Sequence, residues 1–176
     1  MKRICLLRHA KSEPLQRDQK DSDRSLNERG VAAARFMADL IIKRGYTPDA
    51  VLCSSAHRTV STLRPLAEQL PPNVPVTKRD DLYLAMPDVL LDAVRQAPRD
   101  AITLLLVGHN PGIGLLADLL IPHMPEAQSF GEEFPTAALA VIEFDAEDWA
   151  EVSEGRGRLV FYGAPKQLMR EAGLID

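Results

Sequence analysis

Thr103-Leu104-Leu105-Leu106-Val107-Gly108-His109-Asn110-Pro111-Gly112 opens with an unbroken apolar run and closes on residues that cannot extend it. A strand with one wet face alternates apolar and polar residues. A short run with no alternation, bounded by glycine and proline, reads as a strand covered on both faces, as in a parallel sheet. Ile4-Cys5-Leu6-Leu7 repeats the pattern and stops at Arg8-His9-Ala10-Lys11-Ser12-Glu13-Pro14; Ala50-Val51-Leu52-Cys53-Ser54, following Asp49, is a third run of the same kind.

Helical segments fall between these runs. Ser25-Leu26-Asn27-Glu28 has the form of a capping box, with Ser25 and Glu28 expected to satisfy the first free amides of a helix. Ala34, Met37, Ala38 and Ile41 then keep helical spacing up to Lys43-Arg44-Gly45, basic residues followed by glycine being a sound stop. Ser55-Ala56-His57-Arg58-Thr59 opens a second helix through Leu63, Leu66, Ala67 and Leu70. Pro65 falls early enough in it to be tolerated with a kink, and Pro71-Pro72 ends it. A short strand is expected over 74–79 and helices over 87–97 and 113–120. A loop rich in proline and acid spans 121–135, and two closing strands cover 137–144 and 157–162. Strands alternating with helices predict an α/β fold, a three-layer α/β/α sandwich around a mostly parallel central sheet.

With 176 residues and no repeat or linker, the chain is expected to form a single domain, 1–176, with a full hydrophobic core. The net charge of -4 offers no global basic field, so neither nucleic acid nor an anionic membrane is an expected partner. An anionic substrate would have to be received by a few local arginines. Cys5 and Cys53 lie in apolar runs, outside any C-x-x-C pair, and read as buried structural thiols. The apolar start is too short for a signal peptide and no run approaches a membrane span. A reducing cytoplasm is the expected setting.

His9 and His109 each stand just past a buried strand, where ligands bind in open α/β sheets. Arg8 precedes the first, and Arg58 follows the strand that ends at Ser54, in the opening turn of a helix whose N-terminus favours anions. The planar guanidinium fork suits phosphate oxygens.

These residues carry a resemblance. Leu6-Leu7-Arg8-His9-Ala10-Lys11-Ser12 resembles the arginine-histidine-glycine motif of the histidine phosphatase (phosphoglycerate mutase-like) superfamily, with Ala10 in place of the glycine. Ser54-Ser55-Ala56-His57-Arg58-Thr59-Val60-Ser61-Thr62 resembles its second-arginine block, and Val107-Gly108-His109-Asn110-Pro111 its second-histidine motif. The short length is similar to SixA-type phosphohistidine phosphatases. Arg24-Ser25-Leu26-Asn27-Glu28-Arg29-Gly30 and Phe134-Pro135-Thr136-Ala137-Ala138-Leu139 resemble further segments of that group and its relatives.

The resemblance implies a phosphoglycerate mutase-like fold and a metal-independent phosphatase, with no cofactor. His9 would be the nucleophile that becomes phosphohistidine, and water would then release the phosphate. Arg8, Arg58 and His109 would hold the phosphoryl oxygens, and Arg24 is a candidate substrate contact. Mutase-type members place a glutamate acid after the second helix; the matching stretch here, Arg79-Asp80-Asp81-Leu82-Tyr83-Leu84-Ala85, makes Asp81 the candidate, with Asp80 behind it. The expected partner is a phosphorylated protein carrying phosphohistidine. A small phosphate ester, or phosphate binding without turnover, stays open, as do the oligomeric state and the roles of the 121–135 loop, a candidate lid, and of the tail 165–176.

Overall fold

The computed structural model describes residues 1–122 and 129–176. Among these residues six strands form one sheet: β1 Lys2–Arg8, β2 Ala50–Ser54, β3 Val76–Arg79, β4 Thr103–Gly108, β5 Leu139–Phe144 and β6 Arg158–Gly163, in the order β3-β2-β4-β1-β5-β6. β3, β2, β4 and β1 run parallel; β5 is antiparallel to β1, and β6 to β5. The expected α/β fold with a mostly parallel sheet is what the chain adopts. The central residues of β1, β2 and β4 are apolar on both faces because helices cover both. Ile4, Leu6, Leu52, Leu104 and Leu106 face a core built with α3 Pro87–Arg95 and α4 Gly112–Leu120. Cys5, Leu7, Val51, Cys53, Leu105 and Val107 face a second core built with α1 Glu28–Lys43 and α2 His57–Ala67. A period of two in the strand side chains thus feeds two cores from one apolar run.

Local signals were displaced in two places. The cap of α1 is Asn27, not Ser25: its side-chain oxygen accepts the Gly30 amide at 2.8 Å, while the Ser25 carbonyl is taken by the Glu13 amide. The competing interactions are this bond and the bridge between Ser12 and Leu26, which tie the segment before Asn27 to the loop after β1. Pro65 lies near the C-terminal end of α2 rather than early in it. The tail forms α5 Pro165–Glu171, which packs beside α1. Of the 121–135 loop, residues 123–128 lie outside the described residues, and with them the lid expected there.

Gly30 fixes how closely α1 approaches the loop after β1. A Cβ on this residue would lie 2.0 Å from the Lys11 carbonyl oxygen, an impossible contact, and that same oxygen accepts the Asn27 amide. Glycine is therefore required where the first turn of α1 meets the segment that follows His9.

Candidate active site

Arg8 pairs with Gly108 in the β1–β4 register, so His9 and His109 leave neighbouring parallel strands side by side. The His9 amide donates to the Gly108 carbonyl at 3.0 Å, and the two imidazole centroids are 5.3 Å apart. Ser54 ends the next strand, β2, and its Oγ lies 2.7 Å from His109 Nε2. On the far side of β1, the Ala137 amide donates to both the Arg8 and His9 carbonyls. Ala137, next to Thr136, adopts φ +56°, and Leu84 adopts φ +50°; Thr136 and Leu84 line one cavity. Side chains with a Cβ resist this conformation, and its cost tends to be met where surrounding contacts fix a site. Thr62 of α2 completes the frame, accepting the Ala10 amide at 2.8 Å and donating to the Arg58 carbonyl at 2.7 Å.

The result is a cavity of about 440 Å³ whose walls include Arg8, His9, Arg24, Arg58, His109 and Asp21. His9 Nδ1 lies 2.8 Å from the Ala10 carbonyl. A carbonyl can only accept, so Nδ1 carries the ring proton and Nε2 keeps a lone pair. Burial pushes the His9 pKa down to about 4; the Ala10 carbonyl opposes this, and the charges of Arg58, Arg8 and Arg24 add to it. His109 is pushed to about 3, by burial first and then by His9 and Arg58. Both rings are neutral at physiological pH.

Positive charge is concentrated here and only partly answered. Arg8 Nη1 donates to the Phe134 carbonyl at 2.6 Å, while Arg58 Nη1 and Nη2 donate to the Asp21 backbone and carboxylate oxygens at 2.8 and 2.9 Å. Arg8 Nε, Arg58 Nε and His109 Nδ1 are buried and have no hydrogen-bond partner among the described residues. Burial, then the neighbouring Arg58, lowers the Arg8 pKa. Buried donors without acceptors are costly, and a tetrahedral anion would supply acceptors to them and relieve the repulsion between the guanidinium groups.

The structure brings together five of the six residues singled out from the sequence, and it separates Asp81 from them. The Asp81 carboxylate is gripped by Arg79 Nε and Nη2 at 2.9 and 2.6 Å, its side chain is 51% exposed, and it does not line the cavity. Its pKa is lowered by the hydrogen bond from Arg79, the wrong direction for a proton donor. Asp80 is exposed beside it in the 3-10 turn Asp80–Leu82. The segment reaches the site through Tyr83 instead, whose ring stands edge-on to His109 at 5.3 Å.

Sequence reasoning missed Asp21, which lies in the polar stretch between β1 and α1. It opens the 3-10 turn Asp21–Asp23, and its carboxylate accepts from Arg58, from Arg24 Nη1 at 3.0 Å and from the Tyr83 hydroxyl. The Tyr83 hydrogen bond, with help from Arg24 and Arg58 against partial burial, holds the Asp21 pKa at about 2. No local pattern marks it; only the fold lays this turn on α2. Among the described residues no three His, Cys, Asp or Glu side chains are grouped to hold a metal ion.

A model of the histidine phosphatase superfamily (branch 1) matches residues 4–83. An uncharacterized protein of Mycobacterium tuberculosis is 32% identical over 150 residues, covering 83% of this chain and 92% of its own. Among solved structures, a candidate phosphohistidine phosphatase SixA from Agrobacterium tumefaciens superposes with a TM-score of 0.76 at 30% identity, over 93% of this chain and 99% of that one. A candidate phosphohistidine phosphatase SixA from Nakamurella multipartitia gives a TM-score of 0.77, also at 30% identity, over 93% and 96%.

Proposed function

The chain belongs to the histidine phosphatase superfamily, and from that premise we propose that it hydrolyses protein phosphohistidine through a phosphoryl group carried transiently on His9. The observation that carries this reading is a neutral His9 with its proton held on Nδ1, facing His109 and two arginines whose buried Nε groups lack acceptors among the described residues.

In this reading His9 Nε2 attacks phosphorus as the substrate nitrogen departs, and water later attacks the phosphoenzyme to release phosphate and restore the imidazole. Arg8, Arg58 and Arg24 neutralise the phosphoryl oxygens, and fixed donors of this kind supply most of the rate in phosphoryl transfer. With the Ser54 hydroxyl donating to His109 Nε2, 2.7 Å away, the His109 ring proton stands on Nδ1 for an oxygen of the substrate. No carboxylic acid is assigned. A leaving imidazole needs less protonation than an alkoxide, consistent with Asp81 standing apart and Asp21 being held ionised. Metal independence and a reducing, cytoplasmic setting belong to the same proposal; two buried free thiols, both pushed up to about 12 by burial, support the second.

The test is an assay with chelator present, offering p-nitrophenyl phosphate beside a protein phosphohistidine to wild type and His9→Ala. Wild type is expected to turn over both, the phosphoprotein faster, with His9→Ala down by at least ~1,000-fold. Faster turnover of the small ester would move the substrate to a metabolite phosphate. Phosphate binding without turnover would remove the catalytic reading.

A further inference from the structure

A second concavity, of about 290 Å³, adjoins the catalytic cavity and shares Lys11 and Thr136 with it. It lies between the start of α1, the Pro135–Thr136 turn and α5, so the tail whose role the sequence left open forms one wall. Met169 and Ile175 supply apolar surface, Ile175 standing 40% exposed. Three cations border it: Lys11, which it shares with the active site, Arg29 in the first turn of α1 and Lys166 in the first turn of α5. Among the described residues no carboxylate lines it, and none of the three cationic groups has an ion-pair or hydrogen-bond partner. On a chain of net charge -4 this is a locally basic, apolar trough running out of the active site.

We propose that this trough docks the segment of a phosphoprotein substrate next to its phosphohistidine, a segment with carboxylates around an apolar side chain; the proposal rests on the protein-phosphohistidine reading above. Continuity supplies the geometry. A phosphoryl group seated at His9 leaves the neighbouring residues of its carrier at the cavity mouth, where the wall passes over Lys11 and Thr136 into the trough. Charge supplies the selectivity. Unpaired cations around an apolar floor attract an acidic surface and favour association at low salt. A small phosphate ester fills the catalytic cavity alone and makes no use of this surface.

The test is the double variant Arg29→Glu/Lys166→Glu, compared with wild type on p-nitrophenyl phosphate and on an acidic histidine phosphotransfer domain phosphorylated with phosphoramidate. Both positions are exposed and in first helical turns, where a carboxylate suits the helix dipole, so the fold is not threatened. Met169→Asp tests the apolar floor in parallel. The expected result is a loss of about 10-fold or more in kcat/KM for the phosphoprotein, carried by KM and shrinking as salt is raised, with the small ester changed by less than about twofold. Equal losses on both substrates, or none on either, would overturn the docking role while leaving the phosphatase reading in place. Turnover of the small ester alone by wild type would overturn both the protein substrate and the trough's role. Turnover of neither would remove the phosphatase reading and the trough's role with it. A wild-type dimer that the double variant dissociates, with both rates unchanged, would give the surface to a second copy of the chain and overturn the proposal.

Discussion

Arg58 and Asp81 are both charged residues beside a strand, yet they end in opposite situations. Arg58 is 3% exposed, its Nη groups engaged by Asp21 and its Nε open; Asp81 is half exposed and neutralised by its own neighbour, Arg79. Arg58→Ala is therefore expected to lower kcat by about 10²–10³-fold, the usual cost of losing a buried oxyanion donor. Asp81→Asn is expected to stay within about twofold of wild type on alkyl phosphates, aryl phosphates and phosphohistidine alike, since it removes only an exposed ion pair. Steady-state kinetics on the three substrates check both. A selective loss of alkyl phosphate turnover in Asp81→Asn would restore it as the acid. The cysteines belong at the same scale: thiols pushed to about 12 by burial are expected to resist alkylation in the native state at pH 8 and to react only on unfolding.

Elements place the site by register. Because Arg8 pairs with Gly108 and Cys53 with Val107, the ends of β2, β4 and β1 lie in a row, and Ser54, His109 and His9 come with them. This much was legible in the sequence, since apolar runs ending in histidine or serine mark strand ends in an α/β sheet. What was not legible came from side-chain and backbone pairings, most of them between separate segments of the chain. The bridge from Ser12 to Leu26 moved the α1 cap to Asn27. The turn at Asp21 acquired its role only by reaching Arg58, and Asp81 lost its expected one to a neighbour two residues away that no motif weighs. Gly30 shows how tightly elements are held: Gly30→Ala would place a methyl group 2.0 Å from the Lys11 carbonyl oxygen. A loss of about 2 kcal/mol and a Tm lower by roughly 4–8 °C are expected by denaturant and thermal melts, because helix or loop must shift. Since that loop follows His9, activity should fall further than stability alone explains.

The molecule as a whole carries the consequence of two neutral imidazoles buried beside arginines. Above pH 6.5 His9 is unprotonated both folded and unfolded, and contributes nothing to the pH dependence. Between 6.5 and about 4 the unfolded chain takes up a proton that the folded one refuses, so stability falls as pH falls. For His9 alone the gap corresponds to roughly 3 kcal/mol, and His109, pushed to about 3, acts with the same sign. Urea denaturation at pH 7 and pH 4.5 is expected to show this decline, and His9→Asn to make it shallower; equal slopes in the two proteins would mean that His9 is not held neutral. Unfolding as one cooperative transition is expected if the two cores sharing the sheet form the single domain read from the sequence. The claim on which the rest depends is that His9 carries the phosphoryl group. Its most direct test is to mix wild type with excess p-nitrophenyl phosphate, quench within the first turnovers in alkaline denaturant, and map the modified residue by mass spectrometry. One added phosphoryl group on the peptide containing His9, stable to base, labile to acid and absent from His9→Ala, is the result expected. Turnover with no phosphoenzyme, or with the group on another residue, would contradict it.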